Sequence, residues 1–430
     1  MNKSNQYLTN HSKSVYLDNN ANTEIPQYIL NEMMRWYNIG NPGADTDKGN
    51  KAKIIIKKLK QEINKSINTG SMINHSFGQL YDVIITSGAS ESNSTIIKSA
   101  VKSAYINRSK RNQYNGVVKP HIITSSFEHK SILYILEDLE QSGEIDVTYI
   151  NPDITGHISV NNIEENIRPE TCLISIMGAN NETGAINNIK EISMMCNRYG
   201  IHFHSDIVQL FGKYPIIPNT VDSFSISFHK LHGPIGVGVL GIKQRNCKVC
   251  PLVYGTQNDN MRGGTENIVG IVGSYYGLLH NKKNRNMKNK YMIGLKKYLI
   301  NQLNNICPSI YLDDYLYEKL KDSNFTNCIV ILSPKMNCLP NTLLVSFKLT
   351  GDLEYLCNNK LKSLLRQNGI TVSVGSACNT SNTKASHVLD AIGVPNELKK
   401  GVIRISMGDE TTLDDIKYFI KVIKKIIFRN

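Results

Sequence analysis

Between Tyr81 and Leu240 the chain alternates short β-branched runs with longer amphipathic stretches. Tyr81-Asp82-Val83-Ile84-Ile85-Thr86 reads as a strand, and Glu91 to Val101 as the helix after it. His121 to Thr124 reads as a strand followed by a helix over Lys130 to Gln141. Cys172 to Ile176 is a strand, Ile189 to Tyr199 a helix and Ile201 to Ser205 the next strand, with Gly236 to Leu240 a further buried one. This repetition predicts an α/β fold with a largely parallel sheet covered on both faces. A helical segment begins near Thr265 and continues past Tyr291, leading into a second domain of α+β character. There a helix opens at Gly351-Asp352-Leu353 and runs to Gln367. Leu413, Ile416, Phe419, Ile420 and Ile423 give Thr412 to Phe428 one apolar helical face. The expected division is a large domain over 15–273 and a small domain made of 1–14 and 274–430.

Composition narrows the class. At 430 residues the chain is long enough for two cores, and 40% hydrophobic with 20% charged residues is ordinary for a globular enzyme. No apolar run is long enough to span a membrane. Met1 to Ser14 is polar, without the apolar core of a secretory signal or the arginines of a mitochondrial presequence, so a cytoplasmic location is expected. Nine scattered cysteines point to free thiols in a reducing compartment. Cys247-Lys248-Val249-Cys250 has no second ligand pair at zinc spacing, so two ordinary thiols are expected there and no metal. The net charge of +13 raises the question of nucleic acid. Lys, Asn and Ile are abundant throughout, and the densest basic stretch, Asn281 to Lys290, lacks interleaved stacking aromatics. Nucleic acid is therefore not expected as a main partner; an acidic protein partner, or weak contact with RNA, remains open.

The chemistry gathers at Ser227-Phe228-His229-Lys230-Leu231-His232-Gly233-Pro234, with His204-Ser205-Asp206-Ile207-Val208-Gln209 upstream. A lysine that carries pyridoxal 5'-phosphate (PLP) as a Schiff base needs a carboxylate for the pyridine nitrogen, donors for the phosphate and a tight turn. All three kinds of group are present. Gly88-Ala89-Ser90, between a strand and a helix, is a natural phosphate seat, because a helix N-terminus offers free N–H groups and partial positive charge.

Further motifs occur in order: Tyr16-Leu17-Asp18-Asn19-Asn20-Ala21, Thr86 to Asn93, Glu128-His129-Lys130-Ser131, Ala179-Asn180-Asn181-Glu182-Thr183-Gly184, Arg262-Gly263-Gly264-Thr265, Gly375-Ser376-Ala377-Cys378 and Ile403 to Gly408. From about Val15 to the C-terminal helix the chain resembles the cysteine desulfurases of the NifS/IscS type, in the class V, fold type I group of PLP enzymes. The resemblance implies a mostly parallel, seven-stranded-type sheet flanked by helices and a smaller α+β C-terminal domain.

It also implies roles. Lys230 carries PLP, Asp206 faces the pyridine nitrogen, and Gln209 donates to the phenolic oxygen. Ala89, Ser90, Ser227 and His229 bind the phosphate, with Ser90 in place of the family's usual threonine. His129 stacks on the ring and takes part in proton transfer. Asn180 or Asn181 matches the asparagine near the phenolic oxygen and the substrate carboxylate; Asn180 is placed at the cofactor and Asn181 at the substrate. Arg404 matches the arginine that clamps the α-carboxylate, for which a planar guanidinium is suited. Thr265 matches the threonine that reaches the neighbouring subunit's phosphate, which implies a homodimer.

Cys378 is the expected nucleophile. The residues after it, Asn379 to Ala385, are small and polar, as a loop that must carry a thiolate into and out of a pocket would be. Its distance from Ser386 fits the longer-loop class, whose members act with scaffold proteins. The implied reaction takes L-cysteine to L-alanine and leaves a persulfide on Cys378 for an acceptor, as in iron–sulfur cluster assembly or tRNA thiolation. Three other readings stay open: selenocysteine lyase, which uses the same parts; a class V aminotransferase, which would not need Cys378; and a cofactor-free scaffold, against which Lys230, Asp206 and His129 argue. The chain departs from the family pattern at Thr46, where a histidine is usual, at Ile235 in the Gly233-Pro234-Ile235-Gly236 turn, and at Asn258 in Gly255-Thr256-Gln257-Asn258-Asp259.

Overall fold

The computed structural model describes residues 13–67, 81–109, 118–214, 220–243, 247–321, 327–349, 356–374 and 386–428. The chain forms two compact units. One comprises 22–181 and 185–285; the other comprises 1–21, 182–184 and 286–430.

The larger unit is built on seven strands: β1 (Asp82–Thr86), β2 (His121–Ser125), β3 (Asp146–Ile150), β4 (Thr171–Ser175), β5 (His202–Asp206), β6 (Ser223–Ser227) and β7 (Gly238–Ile242). Their order is β1-β7-β6-β5-β4-β2-β3. β2 to β6 pair in parallel, while β7 runs antiparallel to both β6 and β1. Parallel strands need crossovers, and these are the helices α3 (Ala89–Ser109), α4 (Lys130–Gln141), α5 (Val160–Glu164) and α6 (Ile189–Tyr199). β2, β5, β6 and β7 are buried at all five positions, as expected where helices cover both faces. One such core joins Ile84, Ile122, Leu173 and Leu240 of the sheet to Ile96, Ile97 and Ala100 of α3 and Ile132 and Leu136 of α4. α1 (Gln27–Arg35) and α2 (Asp47–Ile67) pack against α7 (Ile268–Lys282).

α4 and α6 have the expected bounds. α6 stops at Gly200, whose φ of 66° is the left-handed cap that glycine supplies cheaply. The single helix expected from Thr265 past Tyr291 is two, α7 and α8 (Arg285–Asn304), broken at Asn284 with φ 59°. Several elements escape the pattern reading, α1 and α5 among them. α2 hides its buried positions Ala52, Ile55, Leu59 and Ile63 within a lysine-rich run. β3 presents only Ile150 as a fully buried residue. β6 alternates serine with apolar residues yet is wholly buried.

The smaller unit holds β8 (Ser309–Tyr311), β9 (Cys328–Ile331), β10 (Thr342–Lys348) and β11 (Val402–Ser406) in the order β11-β10-β9-β8. α9 (Leu312–Lys321), α10 (Asn358–Gln367) and α11 (Leu413–Ile427) accompany α8. Thr412 and Asp415 close a capping box at the start of α11. Ile416, Phe419, Ile420 and Ile423 are buried as the spacing predicts, whereas Leu413 is exposed. Val15–Tyr16 pair in parallel with Ile370–Thr371, which puts the N-terminal strand with this unit. The division therefore falls at 22 rather than 15. At its other end it falls at 285 rather than 273, because α7 packs on α1 and α2.

Candidate active site

The carboxyl ends of adjacent parallel strands converge in the larger unit, where open α/β sheets hold their ligands. β5 ends at Asp206 and is paired with β6 through Asp206↔Ser225. β6 ends at Ser227 and passes straight into a single 3-10 turn, Phe228–Lys230. This fixes Lys230 one turn beyond the strand beside Asp206. The turn is held from outside: the Thr23 amide and hydroxyl both donate to the His229 carbonyl, at 2.9 and 3.0 Å. Lys230 is half-buried.

Asp206 is buried and accepts from two donors. The Val208 amide lies 3.0 Å from Oδ1 and Asn93 Nδ2 lies 2.9 Å from Oδ2. Asn93 comes from α3, is wholly buried, and also reaches Ser131 Oγ at 3.0 Å. Ser131 stands 2.9 Å from Nδ1 of His129, which caps the N-terminus of α4 by accepting from the Ser131 amide. Gln209 is buried, with its Oε1 accepting from Lys213 Nζ at 2.7 Å.

Beneath His129, Glu128 is fully buried. Its Oε1 accepts from Ser125 Oγ at 2.5 Å and from the Met177 amide at 2.8 Å. Burial pushes its pKa up to about 8; the two hydrogen bonds oppose that rise and the Asp206 charge adds to it. Glu128 thus ties the His129 turn to the segment leading to Asn180. Asn180 is buried and its Nδ2 reaches the Phe127 carbonyl at 3.3 Å, while Asn181 is half-buried.

The first turn of α3, expected from the sequence to be the phosphate seat, is held against β6 and β7. The Ala89 amide donates to Ser227 Oγ at 3.1 Å. Gly238 of β7 has to be glycine, because a Cβ there would stand 2.5 Å from the Gly88 backbone. Glu91, one turn on, is gripped by Arg262 at 2.9 and 3.3 Å. Burial would raise the Glu91 pKa, but the bonds from Arg262 and Ser87 outweigh it and hold the carboxyl below its usual range. Arg262 fastens the segment that carries Thr265, which is exposed, as is Ser90. His229 lies 3.3 Å from Asn22 Oδ1. Burial, then the Lys230 and Lys213 charges, push its pKa down to about 4, which an arriving anion would counter.

In the smaller unit Arg404 sits on β11, buried, with Nη2 2.5 Å from Asp18 Oδ1. Asp18 belongs to the Tyr16 to Ala21 motif, which is fixed to β11 where Asn19 and Asn20 bond to Ser406. Cys378 and its neighbours Gly375 to Ala385 lie outside the described residues. Each departure from the family pattern has a local place. Thr46 Oγ1 accepts the Gly49 amide at 3.0 Å at the start of α2. Ile235 is 77% exposed on its turn. Asn258 Oδ1 accepts the Ile85 amide at 3.2 Å, and Asn258, Asp259 and Asn260 all have positive φ, which Asn and Asp tolerate better than most residues. A cavity of about 860 Å³ lies elsewhere in the larger unit, between Lys53, Lys57 and Lys60 of α2 and residues 256–259; neither Lys230 nor Asp206 lines it.

The residues fit PLP: an amine, a buried carboxylate on the neighbouring strand, and a helix N-terminus whose approach is kept open by glycine. Sequence motifs name these groups but give no role to Asn93, Ser131 or Glu128, which hold them.

The class-V aminotransferase family model matches residues 15–419. A cysteine desulfurase IscS of Dictyoglomus turgidum is 33% identical over 96% of this chain and 95% of its own length. Among solved structures, a NifS-like protein superposes with a TM-score of 0.78 at 30% identity, covering 96% of this chain and 99% of the other. The structure titled "SspA in complex with cysteine" gives a TM-score of 0.68 at 29% identity, over 92% and 99% of the two chains. With its sheet order, its lysine turn and this full-length likeness taken together, the chain belongs to the class-V aminotransferase family, among the cysteine desulfurases.

Proposed function

We propose that this protein is a PLP-dependent cysteine desulfurase that converts L-cysteine to L-alanine and retains the sulfur as a persulfide on Cys378. The observation that carries the reading is Asp206 at the end of β5 beside the strand that leads into Lys230. Lys230, Asp206 and Gln209 would hold the cofactor's ring, with His129 against its face and Asn180 nearby. Ala89, Ser90, Ser227 and His229 would hold its phosphate, with Thr265 of a second copy completing that site in a homodimer. Bound PLP would supply an electron sink for the charge left at the substrate Cα.

Lys230 removes the Cα proton and returns one to the product. Asp206, ionised and fixed by two donors, keeps a positive charge opposite it stable. Arg404 and Asn181 orient the substrate carboxylate. The Cys378 thiolate forms the new S–S bond while the substrate C–S bond breaks, its electron pair passing to carbon, which is then protonated. Cysteine plus enzyme thiol thus gives alanine plus enzyme persulfide without an external oxidant. The persulfide then passes to an acceptor or scaffold protein. The likeness to a protein solved with cysteine bound supports the substrate.

The test is mass spectrometry after incubation with L-cysteine. One extra sulfur atom is expected on the peptide that contains Cys378, with alanine in solution. Sulfur on Cys247 or Cys250 instead, or alanine made at the wild-type rate by Cys378→Ser, overturns the reading.

A further inference from the structure

The Asp206 carboxylate, when ionised, only accepts hydrogen bonds. The Asn93 atom facing it at 2.9 Å is therefore the amide nitrogen. The second hydrogen on that nitrogen serves Ser131 Oγ, 3.0 Å away. The amide oxygen is left to His204, whose Nε2 lies 3.2 Å from it and must carry the proton. Burial, with His202 nearby, pushes the His204 pKa down to about 3, so the ring is neutral and has one N–H. His204 Nδ1 must then accept, and the Ser223 hydroxyl is 2.9 Å away. Ser223 Oγ in turn accepts from His202 Nε2 at 2.9 Å. On the other side, a backbone amide makes His129 Nδ1 an acceptor, so the Ser131 hydroxyl, which accepts from Asn93, gives its own proton to that nitrogen at 2.9 Å. The Ser131 amide donates to the same nitrogen at 3.2 Å.

We infer that Asn93 is a positioning residue whose one amide group fixes both the Asp206 carboxylate and the direction of the Ser131 hydroxyl, which joins the Ser131 amide in holding His129 as the Nε2–H form. The chain of donors from His202 through Ser223, His204, Asn93 and Ser131 to His129 runs in a single direction. The Asp206 carboxylate, by taking the Asn93 amide nitrogen, sets that direction. This rests on the reading of Asp206 and His129 as cofactor-facing groups. Its consequence for that site is specific. His129 Nδ1 is occupied by two donors, so His129 offers a fixed N–H from Nε2.

The test is nuclear magnetic resonance of histidine-labelled protein at about pH 8, above the ordinary histidine pKa, with His129 assigned through His129→Gln. Wild type is expected to show His129 as the Nε2–H tautomer. Asn93→Asp keeps the shape but replaces the donor to Ser131 with an acceptor. The Ser131 hydroxyl should turn towards it, and the Nδ1–H form of His129 should become at least comparable with the Nε2–H form. Ser131→Ala removes the hydroxyl but keeps the backbone amide on Nδ1, so the Nε2–H form should persist there. An Nδ1–H tautomer in wild type, or unchanged Nε2–H in Asn93→Asp, overturns the proposal. The tautomer is read without cofactor or turnover, so failure of the desulfurase assignment leaves this result standing and separable.

Discussion

Glu128→Gln is expected to stabilise the protein at neutral pH and to remove a pH dependence. Glu128 is fully buried, and burial takes its pKa from the ordinary 4.5 to about 8. An acid whose folded pKa is raised keeps its proton while the unfolded chain has lost it. Its contribution is intact below about pH 4.5 and is lost progressively as pH rises to about 8. The slope is about 1.4 kcal/mol per pH unit for one proton, which sets a ceiling of about 3.4 kcal/mol at pH 7 and about 5 kcal/mol above pH 8. A realistic expectation at pH 7 is about 2 kcal/mol, since buried sites relax around charge. Glutamine keeps the shape and an oxygen able to accept from Ser125 Oγ and the Met177 amide, and it does not titrate. Urea unfolding of both proteins from pH 5 to pH 9 checks this. The two curves should nearly coincide at pH 5 and diverge with rising pH, the variant above. A difference that stays flat with pH, or a variant less stable throughout, would refute the buried neutral carboxyl.

Lys230→Ala should abolish turnover and leave no borohydride-fixed cofactor adduct in a peptide map; an adduct retained on another lysine would contradict its role. Asp206→Asn should still bind PLP but lose one to two decades in rate, since a charge-assisted contact is worth roughly 1.5–3 kcal/mol; wild-type turnover in stopped-flow measurements would count against it. Mixing Lys230→Ala with Thr265→Val subunits should regain part of the activity in heterodimers, where one site carries both lesions and the other is intact. No gain over either parent would speak against a shared site.

The strands whose β-branched runs are bounded by turns, such as β1, β2 and β4, are legible in the sequence because burial leaves a nearly continuous apolar or small-residue run. β6 is not. Ser223-Phe224-Ser225-Ile226-Ser227 has the alternation of a half-exposed strand, yet all five positions are buried. The reason lies in partners the pattern does not contain: Ser223 is satisfied by His202 and His204, and Ser227 by the Ala89 amide. A buried serine needs only a hydrogen bond to be as inconspicuous as valine. β3 fails for the opposite reason, because as an edge strand of the sheet it keeps polar residues at exposed positions.

The same distinction runs through the site. Lys230 and Asp206 are visible because their chemistry is intrinsic to the residue and each lies in a recognisable stretch. Asn93 is invisible because its meaning is entirely relational: it meets Ser131 from 38 residues away and Asp206 from 113. Nothing in the local sequence says that an asparagine on the inner face of α3 faces a carboxylate. Asn93 lies one turn along from the Ala89 amide that contacts Ser227, so one rigid helix sets both the phosphate seat and the carboxylate. A change that shifted α3 would disturb both ends of the cofactor together. That coupling explains why a wholly buried helix face carries a polar amide where an apolar residue would pack as well.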